Sequence, residues 1–294
     1  MSTTSATWER DDSGVVVMTL RQEDRPVVVL DSALLKDIDA AFDEIGSDLS
    51  GFVLASGSRV FVAGANLEEI MALDDEALEK YLAFGSRVYG RISSLGCPSV
   101  AAINGATLGG GLELALHCDV LIALIPEPRD PSKPAKPYQI GLPESGLRIC
   151  PGWGGTNMLP ARMDAGRAIR MTADGRPFTV HEAAEAGLVR ELVKGKDALI
   201  ERAKQIVLSE SRRETDEPIA ISNSCDQDEI RQGLDRVREH LPDTDSARAV
   251  VQCVETGLRD GWEAALACER ANLIRLRSSE EGKEAIESFF AKSK

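Results

Sequence analysis

Histidine is scarce in this chain, with three scattered copies, and the six cysteines at 97, 118, 150, 225, 253 and 268 contain no Cys-x-x-Cys pair. Neither a zinc motif nor a disulfide framework is therefore indicated, and the thiols are expected to be reduced core residues. Basic surplus is also missing. Thirty-four Lys and Arg against 48 Asp and Glu leave a net charge of -14 and a pI of about 4.8, which argues against nucleic acid or an anionic membrane as a partner held by bulk charge. No apolar run approaches the length of a membrane span, and residues 1–10 show no basic segment followed by an apolar one, so a soluble, cytoplasmic protein is expected. No internal repeat or low-complexity tract stands out. What is present is 294 residues with 43% hydrophobic content, enough to bury a large core.

In chain order, Val15–Leu20 reads as a strand and residues 27–30 as a second short apolar piece. Ser32 is placed to cap a helix over 33–45, where Leu34, Leu35, Ile38, Ala41, Phe42 and Ile45 share one face. Residues 52–55 supply another strand, followed by expected helices over 67–71 and about 75–93. Residues 100–103 and 120–125 read as buried strands, the latter stopped by Pro126. The proline-rich, charged segment 126–137 must be a surface loop, either a lid or a decorative insertion. A helix over 180–186 closes on Gly187 as its C-cap. From Asp197 onward the chain reads as almost wholly helical, interrupted by the polar interval 211–218. Apolar positions between Val250 and Leu276 exceed what one face of a lone tail needs, which predicts packing on the core or on a neighbouring subunit. The expected division is a catalytic core over 1–212 and a helical region over 213–294.

Three stretches have the composition of a reactive site. After the 100–103 strand the chain breaks at Asn104-Gly105, passes Gly109-Gly110-Gly111 and opens a helix whose first turn carries Glu113. Glycines let a ligand approach the backbone, and free amides at a helix start hold developing negative charge. The dipole favours an ionised Glu113, whereas burial opposes it. Read alone, this is equally a tight packing turn. Residues 61–69 form a second strand end that leads through Ala63-Gly64-Ala65 into a helix. Two such turns can each offer one N–H to a single oxygen, and one such donor is worth roughly 3 kcal/mol of barrier. Small residues at a corner also simply permit close packing. Glu144 follows Pro143 between apolar neighbours, and residues 150–156 make a Gly-rich loop ending in a Thr suited to start a helix. By itself Glu144 reads as a solvated loop acid; in one pocket with Glu113 it would complete an acid/base pair around a water.

In their order along the chain, the 61–69, 101–119, 141–144 and 151–156 segments resemble the enoyl-CoA hydratase/isomerase (crotonase) superfamily, and in particular the hydratase part of multifunctional fatty-acid oxidation enzymes. The resemblance covers about 15–193 and more weakly the final helices. It implies an α/β fold, a spiral of repeated ββα units with a helical C-terminal region, assembled as homotrimers that often pair into hexamers. It implies backbone amides of Ala65 and Gly110 as the oxyanion hole for the thioester carbonyl of an acyl-CoA, with Glu113 and Glu144 as the catalytic carboxyls. Ala63 is expected to offer its carbonyl to the adenine, and Leu67 to line the acyl pocket. Asn66 and Glu68 fall at substrate-binding positions where the family usually has Asp and often a basic residue. The two glutamates lie 31 positions apart, longer than the family usually shows, and the 126–137 insertion accounts for the excess. The implied reaction is hydration of a 2-enoyl-CoA, with no metal and no cofactor beyond the coenzyme A of the substrate. An isomerase working with Glu144 alone, a CoA-thioester hydrolase or ring-cleaving relative, and a non-catalytic acyl-CoA-binding subunit are the alternatives.

Overall fold

Short apolar runs separated by amphipathic segments form an α/β protein with a helical C-terminal region. The computed structural model describes residues 4–128, 132–211, 215–223 and 226–293. In chain order the elements are β1 (Ala6–Arg10), β2 (Val15–Leu20), α1 (Ser32–Ile45), β3 (Gly51–Ser56), α2 (Leu67–Ala72), α3 (Asp75–Ser93), β4 (Ser99–Ile103), β5 (Thr107–Leu108), α4 (Gly110–Leu116), β6 (Val120–Leu124), β7 (Gln139–Gly141), α5 (Gly155–Met158), α6 (Ala165–Ala173), β8 (Phe178–Thr179), α7 (Val180–Glu185), β9 (Glu191–Val193), α8 (Lys196–Ser209), α9 (Gln227–Arg238), α10 (Asp245–Asp260), α11 (Trp262–Arg277) and α12 (Glu280–Ser293). Two compact units share them. Met1–Gly64, Arg87–Ile140 and Phe178–Pro218 make the first, and Ala65–Ser86, Gly141–Pro177 and Ile219–Lys294 the second.

The first unit is built on a six-stranded sheet ordered β1-β2-β3-β4-β6-β9. Only the β1–β2 pair within it is antiparallel; the pairs from β2 to β9 run parallel. Alternation along the strands sends Val53, Val100, Ala102, Ile122 and Leu124 to one face, where Leu199, Ala203, Ile206 and Val207 of α8 cover them. The helix comes so close that a Cβ on Gly51 would lie 2.4 Å from Val207. A smaller sheet has the order β5-β7-β8.

Several local expectations need correction. All six apolar residues of the α1 face are buried, but the cap is Asp31, which has extended backbone and accepts from the Leu34 N–H; Ser32 is the first helical residue. Residues 27–30 form no strand. Their contribution is two isolated backbone bonds, Ala63 N–H to Val28 O and Leu30 N–H to Gly64 O. The edge strand β1, largely exposed, has no apolar alternation that would announce it. Helix α7 stops at Glu185 with Ala186 at its cap position, and Gly187 follows with φ +80°.

In the second unit, α6, α9 and α10 meet through Ala165, Ile169, Ile230, Leu234 and Val254. Gly166 and Gly233 allow the first two to touch, since a Cβ on Gly233 would lie 2.8 Å from the Gly166 nitrogen. Ala249, Cys253, Leu276 and Ile286 of α10 to α12 close around Ile149 and Cys150. The apolar surplus of the C-terminal helices is thus buried within their own unit, with Phe289 left 44% exposed. Of the insertion, 126–128 and 132–137 carry no helix or strand. Residues 129–131 of it, residues 212–214 of the polar interval and Cys225 lie outside the described residues. Among the described residues no helix is long and apolar enough to cross a membrane.

Candidate active site

Within the first unit the first two motifs run side by side. Val62 bridges Thr107 in parallel fashion, the Leu108 N–H donates to Val62 O at 3.1 Å, and the Phe61 N–H to Ala106 O at 3.0 Å. Asn104 turns its side chain back onto this neighbour, donating to Ser58 O at 2.7 Å. A Cβ on Gly111 would sit 2.6 Å from Val62 O and 2.7 Å from Val62 Cβ, so glycine is what lets the start of α4 reach the 61–64 segment. Gly64, at φ +120°, lies against the Leu108 carbonyl. Ala63, placed on this segment, spends its N–H on Val28 O.

The first turn of α4 is where Gly110 and Glu113 sit. Gly109 leads in with φ +53°, and its carbonyl receives the N–H groups of Leu112 at 2.8 Å and Glu113 at 3.0 Å. The Gly110 amide precedes these bonds, in the part of a helix that has no intrahelical acceptor. Tyr89 Oη donates to the Gly110 carbonyl at 3.3 Å and steadies the turn. Glu113 is 1% exposed, so its carboxyl belongs to the interior and not to a solvated face.

Ala65, Asn66, Leu67, Glu68 and Glu144 belong to the second unit. Asn66 is the N-cap of α2, its Oδ1 accepting from the N–H groups of Glu68 and Glu69 at 3.1 and 3.3 Å. Glu68 is exposed in that first turn. Leu67 packs with Leu147 against the cluster containing Ile149 and Cys150, which brings it to the segment that carries Glu144.

Glu144 opens a 3-10 turn, Glu144–Leu147, directly after Pro143. The Gly146 N–H returns to Pro143 O and the Ile149 N–H to Glu144 O, and Arg148 takes a left-handed φ of +61°. The residue is half-buried overall, but its Oε2 is enclosed and has no hydrogen-bond partner. Burial pushes its carboxyl up to about 8; its own backbone amide pulls the other way, and the negative charge of Glu269 adds to the rise. A carboxyl of this kind holds a proton at neutral pH and can deliver it.

Glu269 is a buried acid of the same unit that the sequence did not disclose. It lies on α11, is 0% exposed, and accepts from Gly154 N–H at 2.5 Å, Thr156 N–H at 2.8 Å and the Thr156 hydroxyl. Burial raises its carboxyl while the Thr156 and Gly154 donors lower it. The Gly-rich 150–156 loop thus ends on a buried acid, with Trp153 Nε1 bonded to Leu82 O at 3.0 Å and its ring edge-on to Tyr81.

The chain is similar to known proteins along almost its whole length. It is 31% identical over 303 aligned positions to the fatty acid oxidation complex subunit alpha of Idiomarina loihiensis, covering 97% of this chain and 40% of that one, so it spans about two fifths of the length of this relative. Its fold is similar to enoyl-CoA hydratase from Bacillus anthracis (25% identity, TM-score 0.61, 98% and 96% of the two chains). It is likewise similar to human mitochondrial delta3-delta2-enoyl-CoA isomerase (20% identity, TM-score 0.68, 98% and 97%). Residues 10–215 match the enoyl-CoA hydratase/isomerase family, and with more than half of its length inside that match the chain belongs to this family.

Proposed function

We propose that the protein is an enoyl-CoA hydratase, adding water across the α,β double bond of a 2-enoyl-CoA to give a 3-hydroxyacyl-CoA. The observation that carries this reading is the enclosed Oε2 of Glu144, which has no hydrogen-bond partner, on a carboxyl that burial pushes up to about 8, together with a buried carboxyl at Glu113. Hydration needs two such groups in different roles. In this scheme Glu113 orients and deprotonates the water that attacks the β-carbon, and Glu144 delivers the proton to the α-carbon. The electron pair displaced from the double bond rests as an enolate on the thioester oxygen, which the Ala65 and Gly110 amides hold. Preorganised donors of this kind lower the barrier because they need no rearrangement as charge develops. Coenzyme A enters as part of the substrate, and neither a metal nor a redox group takes part.

Loss of crotonyl-CoA absorbance tests the assignment, with Glu113→Gln and Glu144→Gln run beside the parent. Both variants are expected to lose hydration. Full activity in both would refute these two roles, and a 3-enoyl-CoA isomerised by Glu113→Gln as fast as by the parent would replace hydration with isomerisation. Assembly as a trimer or pair of trimers belongs to the same reading and is tested by light scattering of the purified protein.

A further inference from the structure

A helix of six residues does not hold itself in water, because nucleation fixes more dihedrals than so few hydrogen bonds offset. Helix α2 has that length, about 9 Å from end to end, and follows directly on Ala65. Its placement is therefore set by what its ends and its buried face are tied to. At the first end Asn66 caps the Glu68 and Glu69 amides. Along the helix Ile70 is buried, and Leu67 and Met71 lie against the cluster that includes Ile149 and Leu276. At the far end the tie is Arg277, on α11.

Arg277 is 5% exposed. Its Nη1 donates to the Ile70 carbonyl at 2.8 Å and to the Leu73 carbonyl at 2.6 Å. Its Nη2 reaches Asp75 Oδ1 at 2.5 Å, in the first turn of α3. Carbonyls at a helix C-terminus have no intrahelical donor, and a cation there also complements the helix dipole. The planar fork of a guanidinium can serve two such carbonyls and a carboxylate in one fixed geometry, which the compact ammonium of a lysine cannot. Earlier on the same helix Arg270 pairs with Glu79 of α3 at 3.0 Å. That pair joins α11 to α3, whereas the Arg277 bonds take in α2 as well. Any rotation of α2 about its far end displaces the residue that precedes its cap.

We propose that Arg277 is a positioning residue: by clamping the C-terminal end of α2 it fixes that helix and, with it, the Ala65 amide at the opposite end. This rests on the assignment of the Ala65 amide to the thioester oxygen. The first measurement is hydrogen exchange of the full-length, substrate-free protein, read by mass spectrometry on peptides covering residues 66–73. Arg277→Met strips the guanidinium from the Ile70 and Leu73 carbonyls and is expected to speed exchange of α2 by about 10- to 100-fold, corresponding to one hydrogen bond to a charged group, with α10 unchanged. Arg277→Lys, which keeps the charge without the fork, moves it the same way by a smaller factor and decides the matter if Arg277→Met does not fold. In turnover of crotonyl-CoA, well below the melting temperature and scaled to folded protein, kcat is expected to fall by about 10- to 100-fold. KM changes less, because a displaced amide weakens the hold on the enolate more than the binding of substrate. Arg270→Met, which removes only the Glu79 pair, is expected to leave both readouts at the parent values; effects equal to those of Arg277→Met would trace to the docking of α11 as a whole and overturn the proposal. Unchanged α2 exchange in the folded Arg277 variants, or faster exchange with an unchanged kcat, also overturns it. A parent inactive on crotonyl-CoA refutes the hydratase reading, and α2 exchange, which uses no substrate, then decides for or against Arg277 by itself.

Discussion

Replacing Glu144 with Gln should change the pH dependence of stability in a way that needs no substrate to observe. The ordinary carboxyl value is 4.5 and burial pushes that of Glu144 up to about 8. Below pH 4.5 both the folded and the unfolded chain carry the proton, and the residue costs nothing. Between 4.5 and 8 the folded chain keeps a proton that the unfolded chain releases, so stability falls as pH rises, by about 1.4 kcal/mol per unit. By pH 7 the accumulated loss is about 3 kcal/mol, and near pH 8 it levels off. Glutamine has no such ionisation. Its amide, enclosed where Oε2 lacks a partner, costs about 1–3 kcal/mol at every pH, a constant offset that leaves the slope diagnostic. Urea unfolding of parent and Glu144→Gln from pH 4.5 to 8.5, with linear extrapolation to water, should show the variant gaining on the parent as pH rises. Parallel curves would refute the burial-driven protonation of Glu144.

Glu113→Gln is expected to lower kcat for crotonyl-CoA hydration by about 10²- to 10⁴-fold, the usual worth of one general base, with the thermal midpoint little changed. Gly111→Ala forces a methyl group against the Val62 backbone; urea unfolding should show a loss of about 1–3 kcal/mol, and hydration should fall further than the folded fraction because the Gly110 amide moves with the turn. Gly90→Ala, on α3 with nothing within 4 Å of a new Cβ, serves as its opposite and should gain up to about 1 kcal/mol in the same assay. Asn66→Ala strips the cap from the Glu68 and Glu69 amides and should cost about 1 kcal/mol in a melt, whereas Asn66→Asp should not.

Periodicity explains which elements were legible. The face of α1 could be read because its six apolar residues recur at helical spacing and all of them are buried. The parallel strands β3, β4 and β6 are apolar on successive residues, as strands covered on both faces must be. An exposed edge strand such as β1 carries no such mark. At the N-terminus of α1, Asp31 and Ser32 are both good capping types, and only the backbone angle shows that Asp31 is the cap. The glycine clusters could be found by composition, but the reason for them could not: Gly111 is needed because Val62, far away in sequence, stands where its Cβ would be.

Order and identity of the motifs along the chain were enough to determine the family, because a reactive turn demands particular residues at fixed local spacing. Which acid holds a proton is a different kind of fact. Glu269 sits in a helix between Cys268 and Arg270 and reads locally as one more solvated carboxylate. Its burial and its grip on Gly154 and Thr156 come from a loop more than a hundred residues earlier in the chain. Protonation depends on the donors and the dielectric surrounding a carboxyl, and packing, not local sequence, supplies both.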